Sequence, residues 1–344
     1  MLGLCNLRAG GVAAFIAVSV TAASAAGPRV DLEVATEPGT ILVDAGKWSE
    51  MLSQAGFSSV RLRGSQGNEQ PALEKQGTAT SPAYRVVGVL TTENKLLLPK
   101  GKFGLADRAR IEQWLTKLRE GGEESITIKP VAFGLLPKQL VAVHEALSVP
   151  VKFSSAGKMP REVAKTIADG LSLKFISDVV SQKALAVEDP VVDELQGLSS
   201  GTALAALLRP LGLVLAPEKS GMDVRLRIAE SRAVKEHWPV GWPPKGNPHE
   251  TLPELFKFLN VEITKAPVSE VLTAISGRVK APVLIDHNSV ARFEADLTTP
   301  VDLPQANTYY AVALDRMLFQ AKLKYELRID EADKPFLWVT SLKK

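Results

Sequence analysis

The chain is poor in the residues that most often carry chemistry. Its 344 residues include one cysteine and four histidines. The cysteine, Cys5, lies ahead of an N-terminal apolar run, and removal of that region leaves no thiol for a disulfide or a zinc site. Neither sign of charge dominates: 41 Lys and Arg stand against 38 Asp and Glu. So even a balance lacks the basic stripe of an electrostatic nucleic-acid binder. There is no Walker loop and no G-x-G-x-x-G, so no phosphate cradle of those kinds is expected. His249-Glu250 opens like a metalloprotease helix, but Pro253 stands where the second histidine belongs. Glu112, Glu162 and Glu270 fall on helix surfaces with no partner to form an acid–base pair. No catalytic residue, metal or cofactor is therefore expected.

What is present begins with an export signal over 1–25. Arg8 precedes an apolar run over 10–20, too short to span a bilayer, and Ala23-Ser24-Ala25 supplies small residues for cleavage. Cys5 lies before this run, whereas a lipoprotein cysteine follows it. No later run reaches membrane-spanning length, so no stable span is expected after cleavage. The predicted location is the periplasm or the exterior. The remaining length suffices for two or three domains with their own cores.

Residues 30–128 read as a first, separate small α+β domain. Ala45, Trp48, Met51, Leu52 and Ala55 mark one helix face, and Gly56 stops it. Val60-Arg61-Leu62-Arg63 alternates as a half-buried strand, and 64–82 reads as a long polar loop. Strands over 84–90 and 95–98 flank a hairpin turn. Asp107 is placed to cap a helix whose buried stripe is Ile111, Trp114, Leu115 and Leu118, ended by Gly121-Gly122. Residues 129–150 form a connector with a short helix. His144 lies on or beside its apolar stripe, as a packed side chain rather than a ligand.

The C-terminal two-thirds reads as one pattern written twice, over 151–229 and 261–340. Each copy runs strand, helix, strand, strand, helix and closing hairpin, a tandem of small βαββαββ modules. In the first, Val151-Lys152-Phe153 leads, Pro160 opens a helix with Val163, Ala164, Ile167 and Leu171 inward, and a further strand lies within 191–198. In the second, Val261-Glu262-Ile263 leads and Pro267 opens a helix with Val268, Val271, Leu272, Ile275 and Val279 inward. A strand lies within 297–303, and Tyr310, Ala313, Leu314, Met317 and Leu318 line the next helix. The copies align without gaps from Val163 on Val271 to Asp178 on Asp286. The module bounds are 151–232 and 259–344, with a Trp/Pro-rich linker over 233–258.

Several elements carry a family resemblance: the helix openings at Pro160–Val163 and Pro267–Leu272, the strands ending in Asp178 and Asp286, and the helices over 203–208 and 313–318. Their order resembles the short N-terminal domain of secretins and TonB-dependent signalling receptors. Gly212 keeps that family's glycine before the last hairpin, and Lys322 replaces it in the second copy. The resemblance covers roughly half the chain and rests on apolar pattern. It implies non-catalytic periplasmic docking modules, here without the barrel or secretin core that usually follows.

Two segments offer sharper candidates. Gly197-Leu198-Ser199-Ser200-Gly201 matches the hydrolase G-x-S-x-G turn, with Asp286 and His287 as paper partners. The competing reading is that Ser199 caps a helix. Trp238-Pro239-Val240-Gly241-Trp242 reads either as a stiff linker whose indoles pack on its neighbours, or as a docking strip with Trp238 and Trp242 as binding residues. The expected function is a non-enzymatic interaction or scaffold protein of the cell envelope, with a secretion or outer-membrane component as partner. The alternative is a binder of peptidoglycan glycan or a small ligand through the Trp-Pro segment. A serine hydrolase comes third.

Overall fold

The computed structural model describes residues 27–38, 44–67, 69–78, 81–221 and 223–343. The expected leader over 1–25, with Cys5 and Arg8, lies outside the described residues. Helices and strands are mixed and segregated, so the fold is α+β.

The N-terminal region builds one sheet from β1 (Arg29–Thr36), β2 (Ser59–Gly64), β3 (Ala72–Gly77), β4 (Pro82–Leu90), β5 (Leu96–Leu98) and β6 (Gly101–Phe103), with helix α1 (Ala45–Gln54) after β1. Strand β1 lies between β2 and β4, parallel to both, and β3 and β5 pair antiparallel with β4. Residues expected as one polar loop thus contain β3. It lies at the sheet's margin and is mostly exposed, so it carries no apolar alternation to read. Helix α2 (Arg108–Thr127) buries Ile111, Trp114, Leu115 and Leu118 against this sheet. It does not end at Gly121-Gly122. Gly122 breaks it at φ 63°, and helical turns resume beyond. Helix α3 (Pro137–Leu147) fills the predicted connector.

The first C-terminal unit comprises α4 (Pro160–Asp169), β7 (Lys174–Ser177), α5 (Val179–Leu185), α6 (Ser200–Leu208), β8 (Leu213–Ser220) and β9 (Asp223–Glu230). The expected strands at Val151-Lys152-Phe153 and within 191–198 do not form. A few hydrogen bonds join these segments, such as Val151 N–H to Leu198 O at 2.8 Å and Gly197 N–H to Val151 O at 2.9 Å. Pro150 and Pro190 lack donors, and Gly157 and Gly197 turn the chain at positive φ, so no ladder propagates.

After a one-turn helix α7 (Pro248–Thr251), the second unit comprises β10 (Phe258–Pro267), α8 (Val268–Val279), β11 (Val283–Ile285), α9 (His287–Arg292), β12 (Pro300–Tyr309), α10 (Tyr310–Gln320), β13 (Leu323–Ile329) and β14 (Pro335–Ser341). Strands β10 and β12 form a two-stranded antiparallel ribbon by themselves. The remaining sheets are β7-β9-β8 and β11-β14-β13. In each, the first strand is parallel and the third antiparallel to the middle one.

The two units do not each close a private core. Strand β14 is buried on both faces. Leu337 and Val339 enter the core under α8 and α10, whereas Phe336 and Trp338, with Leu284 of β11, enter the core of the first unit. Burying two such aromatic side chains contributes on the order of 1.5–3 kcal/mol each before entropy, which ties one unit to the other.

Candidate functional site

The junction between the C-terminal units holds nearly all the buried polar side chains that sequence reasoning singled out. Its centre is the turn between β13 and β14. Antiparallel pairing carries Asp330 and Glu331 to the N-terminus of α6, where unpaired N–H groups and the helix dipole favour negative charge. Asp330 Oδ2 accepts the Ser199 N–H at 2.8 Å, and its Oδ1 accepts the N–H groups of Ala332 and Lys334 at 2.9 Å each. Glu331 Oε1 accepts the Trp238 indole N–H at 2.6 Å, and Oε2 accepts the Thr202 hydroxyl at 2.8 Å. Burial dominates this carboxyl and pushes its pKa up to about 7, although the Trp238 and Thr202 bonds pull it down.

This clasp accounts for the G-x-S-x-G segment without a nucleophile. Gly197 makes its turn at φ +86°. A Cβ on Gly201 would lie 2.1 Å from Glu331 Oε1, so glycine leaves room for the carboxylate. Ser199 stands at the N-cap of α6 but makes no side-chain cap bond. The Asp330 carboxylate takes the local backbone donor instead. The Ser199 hydroxyl, fully buried, reaches only the Ser148 carbonyl at 3.4 Å.

Asp286 and His287 do not join Ser199. Asp286 caps α9 by accepting the Ser289 N–H at 3.2 Å, and it accepts both Nε and Nη2 of Arg209 at 2.8 Å. The pairing holds Arg209 above its ordinary pKa. His287 Nε2 sits 3.0 Å from Asp193 Oδ2, and that bond raises the imidazole pKa against the opposing effect of burial. Adjacent side chains thus reach back to two separate points of the first unit, and Ser199, Asp286 and His287 form no triad. The partners Arg209 and Asp193 lay in unremarkable sequence, and nothing local marked Asp330-Glu331 beyond a turn.

The two indoles are placed differently from a docking strip. Trp238 is 2% exposed, its N–H is bound to Glu331, and its ring stacks on Phe133 at 5.8 Å. It meets Trp242 edge-on at 5.3 Å. Trp242 is half-buried, pairs through its backbone with Ile329, and lies on the wall of a pocket of about 510 Å³ with Leu140 and His144. His144 keeps an exposed edge and packs 5.4 Å from Trp242. A face presented by both indoles together is therefore not available.

Two further clefts flank the junction. One, of about 430 Å³, is mostly apolar, with the His287–Asp193 pair on its rim. The other, of about 660 Å³, is strongly basic. Among the described residues, no group of three or more His, Cys, Asp or Glu is arranged to hold a metal ion, and no helix is long and apolar enough to cross a membrane. Comparison with protein-family models, curated proteins and solved structures finds no match to this chain.

Proposed function

We propose that the chain is a non-enzymatic interaction protein of the cell envelope, exported by its N-terminal leader, that docks a partner protein by strand addition to β10. Its C-terminal units are read as paired modules similar to the secretin and TonB-receptor short domain. The common strand order and directions of β7-β9-β8 and β11-β14-β13, and the Asp178 and Asp286 caps on α5 and α9, support that reading.

The observation that carries the docking proposal is the β10–β12 ribbon. Its inner positions Leu259, Val261 and Ile263 pack on the second core, while Asn260 and Glu262 face solvent. Among the described residues these ten-residue strands have no third neighbour, which leaves two edges. The β12 edge is blunted: Gln320 covers it at Asp302 by accepting the Asp302 N–H at 3.0 Å and donating to its carbonyl at 2.8 Å. Pro300 and Pro304 also lack donors. Among the described residues the β10 edge has no such side-chain cover and no proline before Pro267, and its pairing with β12 is regular over Phe258–Val261, before register shifts on either side of Ile263. Phe258, 64% exposed, and Tyr309 meet at a tilt, 4.1 Å between ring centres, at the ribbon's end and offer an aromatic anchor beside that edge.

A photo-crosslinking residue at position 262, introduced in intact cells, tests this. Capture of one envelope protein from position 262 but not from position 302, whose backbone edge Gln320 already occupies, is the expected result. Equal capture from both positions, or none from a folded and exported chain, refutes the docking edge.

A further inference from the structure

The basic cleft lies beside the Arg209–Asp286 pair, between the first unit and the outer ends of β13 and β14. Its volume, about 660 Å³, falls in the range of small-molecule sites. Six cationic side chains line it against two carboxylates, Asp286 and Glu326. The whole chain carries a net charge of only +3, so this one concavity gathers more positive charge than the chain holds in sum.

Three of these six cations are already paired, with two carboxylates between them. Arg209 is paired with Asp286, and Arg328 and Lys324 share Glu326 at 2.6 and 3.5 Å. The guanidiniums of Arg209 and Arg328 also lie over the Trp338 ring, 5.9 and 5.3 Å from its centre, which ties both to the cleft floor. The other three lack a carboxylate partner among the described residues, and Arg292 lies over the Phe293 ring at 5.3 Å. Arg232 follows β9, Arg292 ends α9 and Lys343 follows β14. Among the described residues, none of the three forms an ion pair, although all are exposed on the rim of the same cleft. Three distant stretches of sequence therefore converge on one hollow with no acid to balance them. Like charges focused in a concave wall raise the local concentration of anions, and two guanidinium forks suit planar or tetrahedral oxyanions.

We propose that this cleft binds a small multivalent oxyanion, a ligand with at least two phosphate or carboxylate groups, held by Arg232, Arg292 and Lys343. The cations are confined to the hollow rather than drawn out in a stripe, which favours a compact ligand over a nucleic-acid strand. The site is separate from the β10 edge and stands or falls independently of docking there.

Isothermal titration of the full chain with pyrophosphate and, separately, with citrate tests the site at about 50 mM salt, where screening is weak. One-to-one binding of either anion is expected, weakening as salt rises. Binding of pyrophosphate alone identifies a phosphate ligand, of citrate alone a carboxylate ligand, and of both a site read by charge. R232A and R292A should each weaken binding about tenfold or more. K343A provides a third position should either arginine variant fail to fold, and K165A, on the outer face of α4, should leave affinity unchanged. Absence of binding by both anions overturns the proposal, as does unaltered affinity in the folded arginine variants.

Discussion

Glu331 makes the stability of the C-terminal units depend on pH in a direction opposite to that of an ordinary carboxylate. Its carboxyl is 5% exposed and enclosed by Trp238, Thr202 and Gly201. The folded chain holds its proton up to about pH 7, while the unfolded chain releases it near 4.5. Between those values the folded state binds more protons, so stability falls as pH rises through the window. The shift corresponds to roughly 3 kcal/mol lost between pH 4.5 and 7. His287 adds to the same slope: its pKa is raised above 6.5, so its contribution is present below 6.5 and disappears as pH rises through the folded value. Glu194 titrates outside the window. Burial raises its pKa, but bonds from Ser154, Ser155 and Gln196 hold it down to about 2, so its contribution is lost only in acid. Denaturant unfolding at intervals from pH 5 to 8 should therefore show wild type weakening with pH. E331Q, whose amide can still accept from Trp238 and meet Thr202, should be much flatter and more stable than wild type at pH 8. Parallel pH profiles for wild type and E331Q would refute a protonated, buried Glu331.

Other changes at the junction have separate signatures. G201A forces a Cβ to 2.1 Å from Glu331 Oε1 and 2.8 Å from Trp238 Nε1. It should destabilise by about 1–3 kcal/mol in thermal unfolding, and by less when Glu331 is also changed to Ala. R209A leaves Asp286 buried with only its Ser289 cap; a loss of about 2 kcal/mol is expected, below that of a fully buried pair because the Arg209 side chain is 43% exposed. S199A removes only a 3.4 Å contact and should change stability by less than about 1 kcal/mol, and a fluorophosphonate probe should not label the wild-type chain. W338A should lower stability by about 3–5 kcal/mol and, by uncoupling the two cores, split a single unfolding transition into two.

The helices were legible because their apolar positions repeat at the right period. Val163, Ala164 and Ile167 of α4, and Val271, Leu272 and Ile275 of α8, are buried as the pattern requires. The closing hairpins β8–β9 and β13–β14 form where the repeated order places them. Strand β3 was not legible, because a polar margin strand owes its conformation to β4 rather than to its own side chains. The segments at 151–153 and 191–198 show the reverse error, with apolar runs but no ladder. The run Phe336-Leu337-Trp338-Val339 is continuously apolar, as a strand covered on both faces must be. The site was least visible. Trp238 finds its partner 93 residues away, and Ser199 finds Asp330 131 residues away. Separations of that size leave no local trace in composition or spacing.

The double burial of β14 also bears on how the polypeptide is made. Strand β14 supplies Phe336 and Trp338 to a core whose other members precede it in the chain and are synthesised before it. Until then the earlier unit has an open wall, and a nascent chain arrested before Pro335 should remain sensitive to protease where the finished one resists. Closure of the earlier core therefore waits on a strand more than a hundred residues further along the chain.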